Sequence, residues 1–149
     1  MSRNPRRQEL ARAFGATDVL AARGQEAIET VLDLTGGIGA DAALECVGTG
    51  ESMSTAFGVA RVGSVVGAIG APHGVDVPID TVIFRNVGLL GGVSPVRRYT
   101  PELLPDVLQG AINPGRVFDF TTDLNGIVEA YTAMDERRAI KSLLRIGTA

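Results

Sequence analysis

The sequence predicts an α/β protein built on a doubly wound parallel sheet. Residues 41–47 and 64–69 are largely apolar runs, which is typical of parallel strands covered on both faces. Segments with helical spacing alternate with these runs, and a β-α-β-α-β order implies parallel strands. The 19 glycines and only 5% aromatic residues suit a fold with many tight turns between strands and helices.

The first half of the chain supplies this alternation. A helix is predicted over residues 4–14, where Leu10 and Phe14 share one face and Gly15 ends the helical pattern. The elements predicted after it are a strand at 17–21, a helix at 25–34, a strand at 41–47, a helix at 51–60, a turn at 61–63 and a strand at 64–69. No internal repeat interrupts this order.

Beyond Pro72 the sequence becomes a loop rich in proline and glycine, and the elements that follow are shorter. The predicted order is a strand at 87–93, a helix at 101–112, a strand at 117–122, a helix from about 124 to 138 and a strand at 142–146. The second half therefore predicts a helix-strand-helix-strand segment after a fourth strand at 87–93.

Composition excludes several classes of partner. The net charge is -3, with acidic and basic residues interleaved, which gives no basic surface for nucleic acid. The apolar stretches are broken by glycine and fall short of the roughly 20 residues that span a bilayer. The single cysteine, Cys46, cannot form an intrachain disulfide, and the first residues lack the apolar core of a signal peptide. We therefore expect a cytoplasmic protein that binds neither membranes nor nucleic acid.

Five segments together resemble the medium-chain dehydrogenases, a family that includes zinc alcohol dehydrogenases and quinone reductases. They are FGATDVL at 14–20, LTGGIGADAALECVG at 34–48, RVGSVVGAIG at 61–70, INPGRV at 112–117 and AIKSLLRI at 139–146. Each segment alone is a weak signal. Their order and separation along nearly the whole chain make the resemblance specific.

The resemblance implies an incomplete Rossmann-like doubly wound parallel sheet that lacks the first strand and the Gly-rich turn after it. Residues 1–93 would be a partial NAD(P)-binding domain, and residues 94–149 a segment that packs on the missing catalytic domain. No G-x-G-x-x-G turn occurs in the sequence. The glycines at 36–39 follow a helix and precede a strand, so they are interpreted as a helix cap and a loop.

In the resembling family the catalytic zinc is held by a domain upstream of this segment. His73 and Cys46 are the only imidazole and thiol of this chain, so the sequence predicts no metal site and no catalytic residue in it. We expect His73 at the surface of a loop and Cys46 as a small buried side chain in a strand. Zinc is therefore implied for the parent enzyme only.

Ser2 and Arg3 are the local feature that indicates a cofactor. The resemblance places them just past the second strand, where family members that bind NAD carry an acidic residue against the adenosine ribose. A hydroxyl followed by a guanidinium instead suits a 2′-phosphate, which favours NADP, and Arg7 would support the same phosphate. The alternative is that these arginines are a solvated helix start.

The resemblance implies further cofactor contacts at the ends of the strands and at one cation. The residues concerned are Val47, Gly48 and Thr49 after one strand, Ile69, Gly70 and Ala71 after the next, Gly88 and Leu90 on the following strand, and Lys141. Backbone groups at the second and third of these places would hold the nicotinamide carboxamide, and Lys141 would reach the pyrophosphate. The structural alternatives are a turn glycine, core side chains and a surface lysine.

The function implied for the parent enzyme is hydride transfer between NADP(H) and a small alcohol or carbonyl compound. A zinc-free quinone or enoyl reductase on the same fold is one alternative, and a non-catalytic remnant or assembly module is another. We expect this chain alone to show no dehydrogenase activity and to bind dinucleotide weakly or not at all. The resemblance also implies a homo-oligomer that pairs through the strand at 87–93.

Overall fold

A computed structural model describes residues 1–147. The helices within this range are α1 (Pro5–Ala13), α2 (Gly24–Leu34), α3 (Gly50–Val59), α4 (Ile79–Phe84), α5 (Val96–Leu108) and α6 (Ile127–Asp135), with a 3-10 helix at Pro114–Val117. The strands are β1 (Ala40–Glu45), β2 (Ala60–Ala68), β3 (Gly88–Gly91), β4 (Phe118–Thr122) and β5 (Lys141–Leu144). In this part of the chain no helix is both long enough and apolar enough to cross a bilayer.

These elements fall into two compact units. The first unit contains Met1–Arg3 and Val19–Ser94, and the second contains Asn4–Asp18 and the described residues from Pro95 onward. The first unit therefore holds β1 to β3 with α2 to α4. The second holds β4 and β5 with α1, α5 and α6.

The sheet of the first unit is parallel, with β2 between β1 and β3. Leu44 of β1 lies beside Gly67 of β2, which in turn lies beside Leu90 of β3. Parallel strands end at the same side of a sheet, so the loops that leave β1 and β2 emerge together next to the end of β3. We call this side the carboxyl edge. The predicted α/β class with parallel strands is confirmed.

The core of the first unit forms where α3 packs on one face of this sheet. Phe57, Val66 and Val87 are its largest fully buried side chains. On β1, Ala43 and Glu45 face this core, whereas the intervening Leu44 points to the other face and is exposed. α2 lies against α3, and Gly58 permits the close approach, since a Cβ there would lie 2.8 Å from Cγ1 of Ile28.

Three predictions for the first unit were wrong in detail. Residues 17–21 form no strand: the Ser2 N–H donates to the Leu20 carbonyl at 2.9 Å, but a strand requires a regular ladder of such bonds. The predicted turn at 61–63 lies inside β2, where pairing with β1 jumps from Ala40 beside Ala60 to Ala42 beside Val65. α4 lies in the region predicted as loop.

In the second unit, β4 and β5 form a parallel pair against which α6 packs. Ala130 and Ala133 of α6 are buried, and the Ser142 hydroxyl of β5 donates to the Ala130 carbonyl at 3.0 Å. Asp119 of β4 accepts the Ile140 N–H at 2.7 Å, which fixes the start of β5. α5 begins five residues before the predicted helix and passes through Pro101 and Pro105.

Candidate functional site

The loops that follow β1 and β2 are held together at the carboxyl edge by one carbonyl. The Glu45 carbonyl accepts hydrogen bonds from the Ile69 N–H at 2.7 Å and the Gly70 N–H at 3.0 Å. We call residues 47–49 the first loop and residues 69–71 the second loop. Both were predicted as cofactor-contacting segments, and the structure brings them into direct contact.

Two glycines allow the backbones of these loops to touch. A Cβ on Gly70 would lie 2.6 Å from the Val47 nitrogen and 2.7 Å from the Val47 carbonyl carbon. Gly48 has a φ of 88°, which favours glycine, and a Cβ there would overlap the Ala71 carbonyl. The Gly48 carbonyl in turn accepts the His73 N–H at 3.1 Å. Backbone therefore lines the junction of the two loops.

The side chain of Glu45 lies beneath the first loop and is only 2% exposed. Its Oε1 accepts hydrogen bonds from the Val47 N–H at 2.7 Å, the Gly48 N–H at 2.9 Å and the Ser52 hydroxyl at 2.7 Å. Its Oε2 is buried and accepts no hydrogen bond from the described residues.

Burial acts to raise the pKa of Glu45, but the hydrogen bonds from Gly48, Ser52 and Val47 outweigh it and hold the pKa below the ordinary value of a glutamate. Glu45 is therefore a carboxylate at neutral pH. Sequence reasoning missed it as a site residue. The signal was available, because alternation along β1 from the buried Ala43 predicts that residue 45 faces the core.

α3 begins directly after the first loop, with Thr49 as its N-cap. The Thr49 hydroxyl accepts the Ser52 N–H at 3.3 Å, and the Ser52 hydroxyl accepts the Thr49 N–H at 3.2 Å. This reciprocal capping box satisfies two backbone donors at the start of the helix. The capping box also fixes how the chain passes from the first loop into α3, because Ser52 binds Glu45 at the same time.

β3 completes the carboxyl edge. Leu90 lies beside Gly67, and Gly91 lies beside Ala68, the residue before the second loop. The side chains of Val47, Ile69 and Leu90 are 66%, 65% and 66% exposed. The carboxyl edge therefore exposes apolar side chains and loop backbone. Gly88 is the first residue of β3 and lies two residues before Leu90.

The remaining predicted cofactor residues lie elsewhere. Ser2 and Arg3 belong to the first unit, where the Ser2 N–H donates to the Leu20 carbonyl and Arg3 Nε donates to the Ala21 carbonyl at 3.4 Å. Arg7 and Lys141 belong to the second unit. The Arg7 N–H donates to Oδ1 of Asn4 at 3.2 Å, and the Lys141 N–H donates to Oδ1 of Asp119 at 3.3 Å.

Within residues 1–147, no group of three or more His, Cys, Asp or Glu side chains is placed to hold a metal ion. His73 is exposed, as predicted. Cys46 is also exposed, and the prediction of a buried thiol was wrong. Cys46 lies one residue past the end of β1, and alternation from the buried Glu45 points its side chain away from the core.

A sequence-family profile described as zinc-binding dehydrogenase matches residues 1–109 of this chain. A probable zinc-binding alcohol dehydrogenase of Mycobacterium tuberculosis is 33% identical over 134 residues, which cover 88% of this chain and 34% of that protein. A zinc-type alcohol dehydrogenase of Aspergillus flavus is 28% identical over 146 residues, covering 96% of this chain and 34% of that protein. The chain thus spans about a third of the length of these curated relatives.

Solved structures of alcohol dehydrogenases are also similar to this chain. An alcohol dehydrogenase of Thermus sp. ATN1 superposes with a TM-score of 0.88 at 26% identity, covering 98% of this chain and 44% of that chain. A zinc-dependent alcohol dehydrogenase of Streptococcus pneumonia superposes with a TM-score of 0.84 at 27% identity and the same coverage. The arrangement of strands and helices described above matches part of each.

Proposed function

Because this chain belongs to the family of zinc-binding dehydrogenases, we propose that it is the cofactor-holding portion of an NADP-dependent oxidoreductase. The parent enzyme would transfer a hydride between NADP(H) and an alcohol or carbonyl substrate. The observation that carries this proposal is the carboxyl edge, where two loops and the end of β3 form one surface of backbone and exposed apolar side chains. In open α/β sheets such edges are where ligands bind.

The chemistry of this edge suits a nicotinamide ring. A flat ring with one carboxamide needs an apolar surface and a few backbone donors and acceptors at fixed positions. Val47, Ile69 and Leu90 supply exposed apolar surface. Backbone groups of the second loop and of Gly88 and Leu90 would bind the carboxamide, and their positions are fixed by the sheet register.

The preference for NADP rests on Ser2 and Arg3. The hydrogen bond from Arg3 Nε to Ala21 holds the guanidinium by one edge, while its terminal nitrogens carry further N–H groups that suit a phosphate. Arg7 and Lys141 belong to the second unit, and the roles that the resemblance implies for them at the 2′-phosphate and the pyrophosphate stay predictions. A charge-assisted hydrogen bond contributes about 1.5–3 kcal/mol, which corresponds to roughly ten- to hundredfold discrimination between the cofactors.

A catalytic zinc does not fit the described residues, since they offer no cluster of ligands. The zinc of the parent enzyme would be held by a portion that this chain does not contain. We expect the isolated chain to turn over no alcohol or aldehyde. Of the two outcomes expected for dinucleotide, weak binding or none, the exposed carboxyl edge favours weak binding.

A hybrid enzyme tests the cofactor assignment. This chain would replace the matching portion of the Thermus sp. ATN1 alcohol dehydrogenase, and kcat/KM would be compared for NADPH and NADH. We expect the hybrid to prefer NADPH, and Ser2→Asp with Arg3→Ile to reverse that preference. Arg23→Ile removes an exposed charge from the same unit and should leave the ratio unchanged. Equal efficiency with both cofactors before mutation would refute the assignment.

A further inference from the structure

Glu45 is a buried carboxylate that uses only one of its two oxygens toward the described part of the chain. Its side chain is 2% exposed and Oε1 accepts three hydrogen bonds, yet Oε2 is buried and accepts none within residues 1–147. A buried carboxylate oxygen without a partner is costly, because it has lost the hydrogen bonds of water. A neutral side chain would avoid that cost but would bind the Val47 and Gly48 amides less strongly, because hydrogen bonds to a charged oxygen are stronger.

The three donors all act on the start of the first loop or on the helix after it. The Val47 and Gly48 N–H groups are consecutive, so both must turn inward toward one oxygen. Ser52, the third donor, also belongs to the capping box of Thr49. The ionised carboxylate thus fixes the peptide plane between Val47 and Gly48 and the exit of the loop into α3.

The main chain of the same residue fixes the second loop. The Glu45 carbonyl accepts from Ile69 and Gly70, so the side chain of Glu45 anchors one loop and its backbone anchors the other. The two loops also touch directly where Gly70 meets Val47. A shift of Glu45 would therefore change the spacing of both loops at the carboxyl edge.

We propose that Glu45 is a positioning residue for the dinucleotide: its carboxylate sets the conformation of the first loop against the second, so that both present backbone to the nicotinamide end of the cofactor. The inference rests on the proposed function for the identity of the ligand. The hold on the loops itself is a property of the free chain.

Backbone amide hydrogen exchange on the isotope-labelled chain tests this hold without any ligand. Glu45→Gln keeps the shape but removes the charge, and we expect exchange at Val47 and Gly48 to accelerate by about tenfold or more. Ile69 and Gly70 bond to the main-chain carbonyl, which the substitution keeps, so their exchange should change by less than about threefold. Asp41→Asn is the matched control, since Asp41 lies on the same strand with a side chain 92% exposed.

Comparing exchange rates at several amides separates a positioning role of Glu45 from a general loss of stability. Acceleration of the core amide of Val66 by the same factor as Val47 and Gly48 would show a global loss of stability and overturn the proposal. Unchanged exchange at Val47 and Gly48 would overturn it as well. Should Glu45→Gln fail to fold, Ser52→Ala removes one donor from Oε1, and it must then accelerate exchange at Gly48 for the proposal to stand.

Titration of the same samples with NADPH at millimolar concentrations tests the link to the cofactor. Glu45→Gln should raise the dissociation constant by about fivefold or more, and Asp41→Asn should not. If the unmodified chain shows no amide shifts in either loop, the proposed cofactor site fails and the positioning role fails with it. If the unmodified chain binds and Glu45→Gln binds equally well, only the positioning role fails.

Discussion

Gly70→Ala is the substitution that most directly challenges the contact between the two loops. The added Cβ would lie 2.6 Å from the Val47 nitrogen and 2.7 Å from its carbonyl carbon, and it would overlap the Gly48 nitrogen. All three are backbone atoms that cannot rotate away. Gly70 is not among the glycines with positive φ, so alanine meets no intrinsic backbone strain there and the effect is steric.

The loss of stability follows from the distance by which the two loops must move apart. An ordinary contact begins at 3.4 Å, so the backbones must part by more than about 0.8 Å. Overpacking of this kind costs about 1–3 kcal/mol, and the hydrogen bonds from Ile69 and Gly70 to Glu45 would each lose part of a contribution of about 1 kcal/mol. Alanine also restricts the unfolded chain, which stabilises the fold by about 0.4–1 kcal/mol. We expect a net loss of about 2 kcal/mol in the free energy of unfolding.

Urea unfolding of the chain, followed by circular dichroism, measures this loss. Gly50→Ala is the control, because Gly50 lies two residues beyond Gly48 and a Cβ there meets nothing within 4 Å. Gly50 opens α3, so its alanine variant should be as stable as the parent chain or slightly more stable. If Gly70→Ala unfolds at the same urea concentration as Gly50→Ala, the loops are not in the contact described.

Four further outcomes are expected. The folded-state pKa of Glu45 lies below its unfolded value, so the carboxylate stabilises the fold fully above about pH 4.3. That stabilisation is lost as the pH falls through the folded-state pKa. Glu45→Gln should therefore have a lower free energy of unfolding in urea than the parent chain at pH 7, and the difference should vanish in acid. Thr49→Ala removes the cap of α3 and should lower the free energy of unfolding by about 1 kcal/mol, whereas a loss below about 0.3 kcal/mol would contradict the capping role. Phe57→Ala leaves a cavity in the core and should lower the free energy of unfolding by about 3–5 kcal/mol. A variant with an unchanged urea midpoint would show that Phe57 is not part of the core. Leu90→Pro should abolish the self-association expected through β3 in light scattering, and a parent chain that is already monomeric would remove that expectation.

The sequence predicts the sheet of the first unit well because its signals are strong. The apolar runs at 41–47 and 64–69 overlap β1 and the end of β2, and the glycines at 36–39 fall between α2 and β1. The segment at 17–21 has a similar composition, but a strand depends on a neighbour that composition does not report. The short α4 was missed because a six-residue helix leaves little periodicity to detect.

The candidate site was only partly accessible from the sequence. Family resemblance identified the two loops, and the structure adds the reason that they lie together, namely the bonds to the Glu45 carbonyl. The role of the Glu45 side chain depends on three donors that lie two, three and seven residues after it, which no local pattern shows. The predicted roles of Ser2, Arg3, Arg7 and Lys141 stay predictions that only cofactor binding tests.

Titration of the isotope-labelled chain with NADPH and NADH, followed at each backbone amide, tests most directly whether this chain holds the cofactor. We predict weak binding, with a dissociation constant above about 100 µM, and a tenfold or greater preference for NADPH. The amide shifts should centre on residues 47–49 and 69–71 and on Gly88 and Leu90. Shifts that avoid both loops at millimolar NADPH, or equal affinity for the two cofactors, would contradict the proposed function.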